Sequence, residues 1–162
     1  MSAKHTISCL VENHFGVLAR ISGLISARGF NIDSLTVSAT EDPTASHMTI
    51  VVDADTPQKL EQVKNQLSRL IDVIEVQELK EGDFIDREIL LARVHADGDT
   101  QAKLTTLLQR YGGRVADATN QSVIVEATGH TKKLDELVEQ LRPYGITKLV
   151  RTGRVALERP TP

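Results

Sequence analysis

Aromatic residues are scarce in this chain, at 3% of 162 residues, and tryptophan is absent. A base-stacking platform for nucleic acid is therefore poorly supplied. An excess of positive charge is missing too. Nineteen Lys and Arg stand against 22 Asp and Glu, a net charge of −3. That balance gives no pull toward nucleic acid or an anionic membrane. One cysteine, Cys9, rules out an internal disulfide. It lies in an alternating segment with Ile7 and Val11 and reads as a core thiol. No apolar run reaches membrane length, and the opening Met-Ser-Ala-Lys-His has no apolar signal region. The expectation is a soluble, cytoplasmic protein. The histidines (His5, His14, His47, His95, His130) are scattered without metal-ligand spacing. There is no Walker loop, GxGxxG or GxSxG, so neither a catalytic residue nor a metal site is expected.

What is present is a repeated pattern. Hydrophobic residues make up 40% of the chain, enough for a core in each half. The segment around Ile7-Ser8-Cys9-Leu10-Val11 alternates as a strand. Val17, Leu18, Ile21, Leu24 and Ile25 recur at helical spacing, and Gly29 supplies the left-handed residue that closes such a helix. Asn31-Ile32 opens a second strand through Leu35, Val37 and Ala39. His47 to Asp53 is a third, with Met48, Ile50 and Val52 on one side. Thr56-Pro57 signals a helix start, and Leu60, Val63, Leu67 and Leu70 form its apolar stripe. Val73, Ile74, Val76 and Leu79 belong to a fourth strand. The order β-α-β-β-α-β is the ferredoxin-like arrangement.

After Glu81-Gly82-Asp83 the pattern restarts. It comprises a strand around Ile89 and Leu91, a helix from Thr100 to Tyr111, and strands at Arg114–Ala116 and Ser122–Ala127. A helix carrying Leu134, Leu137, Val138 and Leu141 follows, stopped by Pro143, and Ile146–Leu157 supplies a final strand. The fold class is α+β, two tandem ferredoxin-like βαββαβ units, with domains expected at 1–80 and 81–162. The tail from Arg159 on is expected to be disordered.

One turn has the parts of a ligand site. Gly16 stands where a strand becomes a helix, and without a Cβ its backbone can approach a ligand. The free N–H groups of the helix start attract a carboxylate. Asn13 adds an amide beside them. The alternative, that Asn13 is only an N-cap and Gly16 only a tight turn, stays open on these grounds. His14 lies inside the turn, with Glu12 beside it. The second half has Asp97-Gly98-Asp99 at the matching turn, where two acidic groups would repel a carboxylate. Lys148, Arg151, Arg154 and Arg159 cluster late and read as a solvated face or a docking surface.

The residues Val11-Glu12-Asn13-His14-Phe15-Gly16-Val17-Leu18-Ala19-Arg20-Ile21 and Arg28-Gly29-Phe30-Asn31-Ile32-Asp33-Ser34-Leu35-Thr36-Val37 resemble an ACT domain. More narrowly they resemble the small regulatory subunit of acetolactate synthase. Ser46-His47-Met48-Thr49-Ile50 and Asp86-Arg87-Glu88-Ile89-Leu90-Leu91 carry the same resemblance. Phe30 stands where that family often has tyrosine. The resemblance implies a non-catalytic, allosteric homodimer in branched-chain amino acid biosynthesis. It would activate a catalytic large subunit and confer feedback inhibition by valine. Thiamine diphosphate, Mg²⁺ and FAD are expected on that large subunit, and no cofactor on this one. The implied effector residues are Asn13, Phe15, Gly16, Val17 and Leu18 from one protomer and Asn31 and Ile32 from the other. Three other classes are disfavoured by residues the chain does not have. A transcription regulator would carry a helix-turn-helix. An acylphosphatase-like enzyme would place an arginine in the first turn. An RRM-type module would show aromatics where this chain has Cys9, Met48 and Ile50.

Overall fold

The structure, a computed structural model, describes residues 3–160. The first six elements are β1 (Ala3–Glu12), α1 (Val17–Ala27), β2 (Ile32–Ala39), β3 (Ala45–Ala54), α2 (Pro57–Leu67) and β4 (Val73–Leu79). Then come β5 (Phe84–His95), α3 (Gly98–Tyr111), β6 (Gly113–Ala118), β7 (Ser122–Gly129), α4 (Thr131–Leu141), β8 (Ile146–Arg151) and β9 (Val155–Glu158). One sheet runs β2-β3-β1-β4 and the other β6-β7-β5-β8, both antiparallel. Each is the ferredoxin-like order expected from the strand and helix periodicities.

The chain divides into two compact units. One runs to Ile85 and takes back the segment from Arg154 on; the other is Asp86–Gly153. In the first unit the stripes of both helices meet one parity of the central strands. Val17, Ile21 and Ile25 of α1 and Leu60, Val63 and Leu67 of α2 share a core with Ile7, Cys9, Val11, Met48, Ile50 and Val52. Thr56 caps α2 by accepting the Lys59 N–H, with Pro57 in the first turn. Gly29, at φ 77°, receives the chain as it leaves α1. The second unit repeats the plan. Leu104 and Leu108 of α3 and Leu134, Leu137 and Leu141 of α4 pack on Leu90, Ala92, Val94, Val123 and Val125.

The structure adds detail to the sequence reading and corrects it in the last strand. In β5 the buried parity is Leu90, Ala92 and Val94, whereas Ile89 and Leu91 face outward, 45% and 41% exposed. Both parities are apolar there, so alternation did not distinguish them. The span Ile146–Leu157 is two strands, broken where Gly153 takes φ 83°. The two compact units divide between Ile85 and Asp86, and the last strand returns to the first unit. β9 pairs with β5, whose first residues Phe84 and Ile85 also belong to that unit.

The returning segment covers the face of the first sheet opposite the helices. The Arg154 guanidinium donates to the Thr6 hydroxyl at 2.6 Å and sits 6.0 Å from the Phe84 ring centre. The Ala156 N–H donates to the Thr49 hydroxyl at 3.3 Å. Thr6 and Thr49 are consequently buried although they point away from the helices. Arg159, expected in a disordered tail, donates its N–H to the Asp83 carbonyl and its Nε to the Gly82 carbonyl. Thr161 and Pro162 lie outside the described residues.

Candidate functional site

The turn from Glu12 to Gly16 leads β1 into α1. Gly16 is the N-cap, at φ 89° and ψ −18°, and no side chain caps the helix. The first-turn N–H groups of α1 therefore have no side-chain acceptor and carry the positive end of the helix dipole. Asn13 is not the cap. Its N–H donates to the Thr44 carbonyl at 2.7 Å and its Nδ2 to the Pro43 carbonyl at 2.9 Å. These bonds tie the turn to the β2–β3 connection. A cleft of about 260 Å³ opens beside it, lined by Asn13, His14, Val17 and Leu18 on one side and by Val37, Ser38 and Ala39 of β2 on the other. Leu18, expected on the core stripe, is 43% exposed at this cleft. Phe15 projects almost wholly into solvent.

Asn31 and Ile32 are elsewhere in the chain's own fold. Asn31 accepts the Asp53 N–H at 3.3 Å and lines a separate hollow with Arg28, Lys59 and Asp55. Ile32 packs against the core edge. The two groups of expected residues are separated by the length of α1, about 16 Å at 1.5 Å per residue. Asn13, Val17 and Leu18 thus come together within one chain, and Asn31 and Ile32 do not join them.

Sequence reasoning missed the charges that brace the turn. Asp72, 5% exposed, lies in the connection before β4. Arg20 on α1 brings Nε to 2.8 Å and Nη2 to 2.7 Å of Asp72 Oδ2. His14 Nε2 is 3.1 Å from Asp72 Oδ1 and 3.1 Å from Glu12 Oε2, while Nδ1 is 3.2 Å from the Phe15 carbonyl. The Phe15 carbonyl above all, then Glu12, with Asp72 adding, hold the His14 pKa above its ordinary value against partial desolvation. Glu12, His14 and Asp72 place ligand atoms within 4.8 Å of one another. Arg20 is the cation of that group. Arg20 stands four residues after Gly16, a helical spacing that the sequence does show. Asp72 is 52 residues further on, and no local pattern announces it. Asp33, at the start of β2, pairs with Lys4 at 2.9 Å.

This geometry meets a family pattern. Residues 7–75 match the profile described as "AHAS small subunit-like ACT domain", and residues 87–160 match "Small subunit of acetolactate synthase". The chain is 46% identical over 156 residues to the probable acetolactate synthase small subunit of Archaeoglobus fulgidus, covering 96% of this chain and 97% of that one. This chain belongs to the acetolactate synthase small-subunit family. The Mycolicibacterium smegmatis acetolactate synthase small subunit is 44% identical over 96% of this chain and 91% of its own length. The crystal structure of the acetolactate synthase small subunit from Thermotoga maritima superposes with a TM-score of 0.89 at 30% identity, covering 98% and 99% of the two chains. The ACT profile falls within the first unit, on the elements that build the turn and cleft. The small-subunit profile takes in the second unit and the returning β9. No helix of the described residues is long and apolar enough to cross a membrane.

Proposed function

We propose that this chain is a non-catalytic regulatory subunit that binds a catalytic acetolactate synthase large subunit, raises its activity and confers feedback inhibition by L-valine. The proposed effector site lies between the first units of two copies. The observation that carries this reading is the separation of Asn13, Val17 and Leu18 from Asn31 and Ile32 at opposite ends of α1, beside an edge strand. β2 ends the first sheet, and an open edge favours pairing with a second copy. A two-fold axis through the middle of β2 makes the pair antiparallel and sets Ile32 of one copy opposite Ala39 of the other. Ala39 lines the cleft, so Asn31 and Ile32 of the second copy arrive at its open side.

In this site the effector carboxylate meets the uncapped N–H groups of α1, where Gly16 leaves room for it. Asn31 of the second copy faces the α-amino group. Val17, Leu18 and Ile32 enclose the isopropyl group, and Phe15 closes over the site in the dimer. Thiamine diphosphate, Mg²⁺ and FAD belong to the large subunit. The proposed compartment is the cytoplasm. The test is reconstitution of the purified large subunit with and without this chain. The expected results are higher acetolactate formation with the chain present and inhibition by L-valine only in its presence. A large subunit whose rate and valine response are unchanged by the chain would defeat the proposal.

A further inference from the structure

Both ring nitrogens of His14 face acceptors that have no proton to give. Nδ1 is 3.2 Å from the Phe15 carbonyl, and Nε2 is 3.1 Å from a carboxylate oxygen of both Glu12 and Asp72. A neutral imidazole carries one N–H, so one of its nitrogens would point a lone pair at an oxygen. Only the imidazolium donates on both sides. The ring also lines the cleft and sits two residues before the N-cap. The charged groups around it come from three elements: Glu12 on β1, Asp72 before β4, and Arg20 on α1, whose guanidinium holds the other Asp72 oxygen. On the β2–β3 connection, Asp42 is engaged by the Thr44 N–H and hydroxyl.

We infer that His14 is a protonation-dependent positioning residue that makes effector binding at the adjacent helix start pH-dependent, tighter in acid and weaker in base. The inference rests on the amino-acid site proposed above and adds to it a form of regulation. With His14 protonated, the cluster holds two positive and two negative groups, and an incoming carboxylate meets no net charge. The imidazolium also pins Glu12, Phe15 and Asp72 together, so the turn presents its N–H groups in one arrangement. When the proton leaves, the cluster becomes net negative beside the carboxylate seat, and one of the two tethers is lost. Linkage is reciprocal: if the protonated form binds better, the bound effector raises the pKa of His14. The contacts around the ring hold this pKa above its ordinary value, so the imidazolium persists to higher pH than that of a free histidine.

The test uses the full chain with its catalytic large subunit. L-Valine is titrated calorimetrically at pH 6.0 and pH 8.0, in buffers of different ionisation heat, for the wild type and for His14→Gln. Glutamine keeps one amide donor for the turn and does not titrate. The wild type should weaken about three- to tenfold from pH 6.0 to pH 8.0 and take up protons on binding, a tenfold change being one unit of coupling. His14→Gln should bind with one affinity at both values and no proton uptake. A wild-type affinity independent of pH, or a His14→Gln variant that keeps the dependence, would overturn the inference and leave the valine site standing. No L-valine binding at either pH would overturn both. Proton NMR supplies a further check: a His14 ring titrating below the ordinary histidine value would also overturn it.

Discussion

Replacing Gly16 by alanine and by aspartate separates what the turn contributes to the fold from its proposed role in holding the effector. Gly16 holds φ 89°, a conformation that L side chains rarely adopt. An added Cβ meets only the end of the Arg20 side chain, Nη1 at 3.6 Å and Cζ at 4.0 Å, ordinary contacts. The cost of Gly16→Ala is therefore backbone strain, about 1–2 kcal/mol. A urea transition of the first unit should shift down by about 0.5–1 M at a slope of about 2 kcal/mol per M. Aspartate carries similar strain, yet it is a favoured N-cap and tolerates left-handed geometry better. Gly16→Asp should thus be no less stable than Gly16→Ala. Its function should nevertheless be worse, because its carboxylate caps the α1 N–H groups proposed to hold the effector carboxylate. Losing two charge-assisted hydrogen bonds costs at least about 3 kcal/mol, or roughly 100-fold in affinity. The assay is acetolactate formation by the reconstituted enzyme against L-valine, beside urea unfolding of each variant. Gly16→Asp should keep activation and lose inhibition, while Gly16→Ala keeps a measurable part of it. Undiminished valine inhibition in Gly16→Asp would refute the reasoning.

Other consequences follow from the same contacts. Asn31→Ala should weaken L-valine binding by about 1–3 kcal/mol, because a buried polar group of the ligand loses its partner; an unaltered dissociation constant would contradict this. Burial pushes the Cys9 thiol up to about 12 from 9.0. The native protein should resist alkylation at pH 8 and react only when unfolded. The stabilisation from keeping this thiol neutral is complete below pH 9 and is lost as pH rises toward 12, which urea midpoints across that range would register. Arg151 brings Nε and Nη2 to 2.9 and 2.7 Å of the buried Glu88 carboxylate, and its Nη1 to 2.6 Å of Asp135. Arg151→Met leaves Glu88 buried without its cation and should destabilise the second unit by about 3 kcal/mol in denaturant unfolding. A loss below about 1 kcal/mol would show that Glu88 finds another partner.

The elements that the sequence made legible are those with local causes. Thr56-Pro57 begins α2 because a hydroxyl caps and proline fits the first turn, and both act within four residues. Gly29 and Gly112 end α1 and α3 because left-handed geometry is least costly at glycine. The turn and its uncapped helix start were readable for the same reason. What sequence periodicity does not carry is contact between distant segments. Arg154 reaches Thr6 across 148 residues and Arg20 reaches Asp72 across 52, so neither the return of β9 nor the brace behind the turn has a local signature. The parity of β5 was hidden for another reason. With Ile89, Leu90, Leu91 and Ala92 in succession, hydrophobicity does not mark an inner face, and packing against Leu104, Leu134 and Leu141 settles it.

In the proposed function the first unit senses a branched-chain amino acid at the α1 start. This is tested most directly by calorimetric titration of the protein with L-valine, with D-valine and lysine as controls, alone and with the large subunit. Saturable binding of L-valine is expected, with both controls silent. Absence of L-valine binding in the reconstituted complex, or equal binding of lysine, would contradict it.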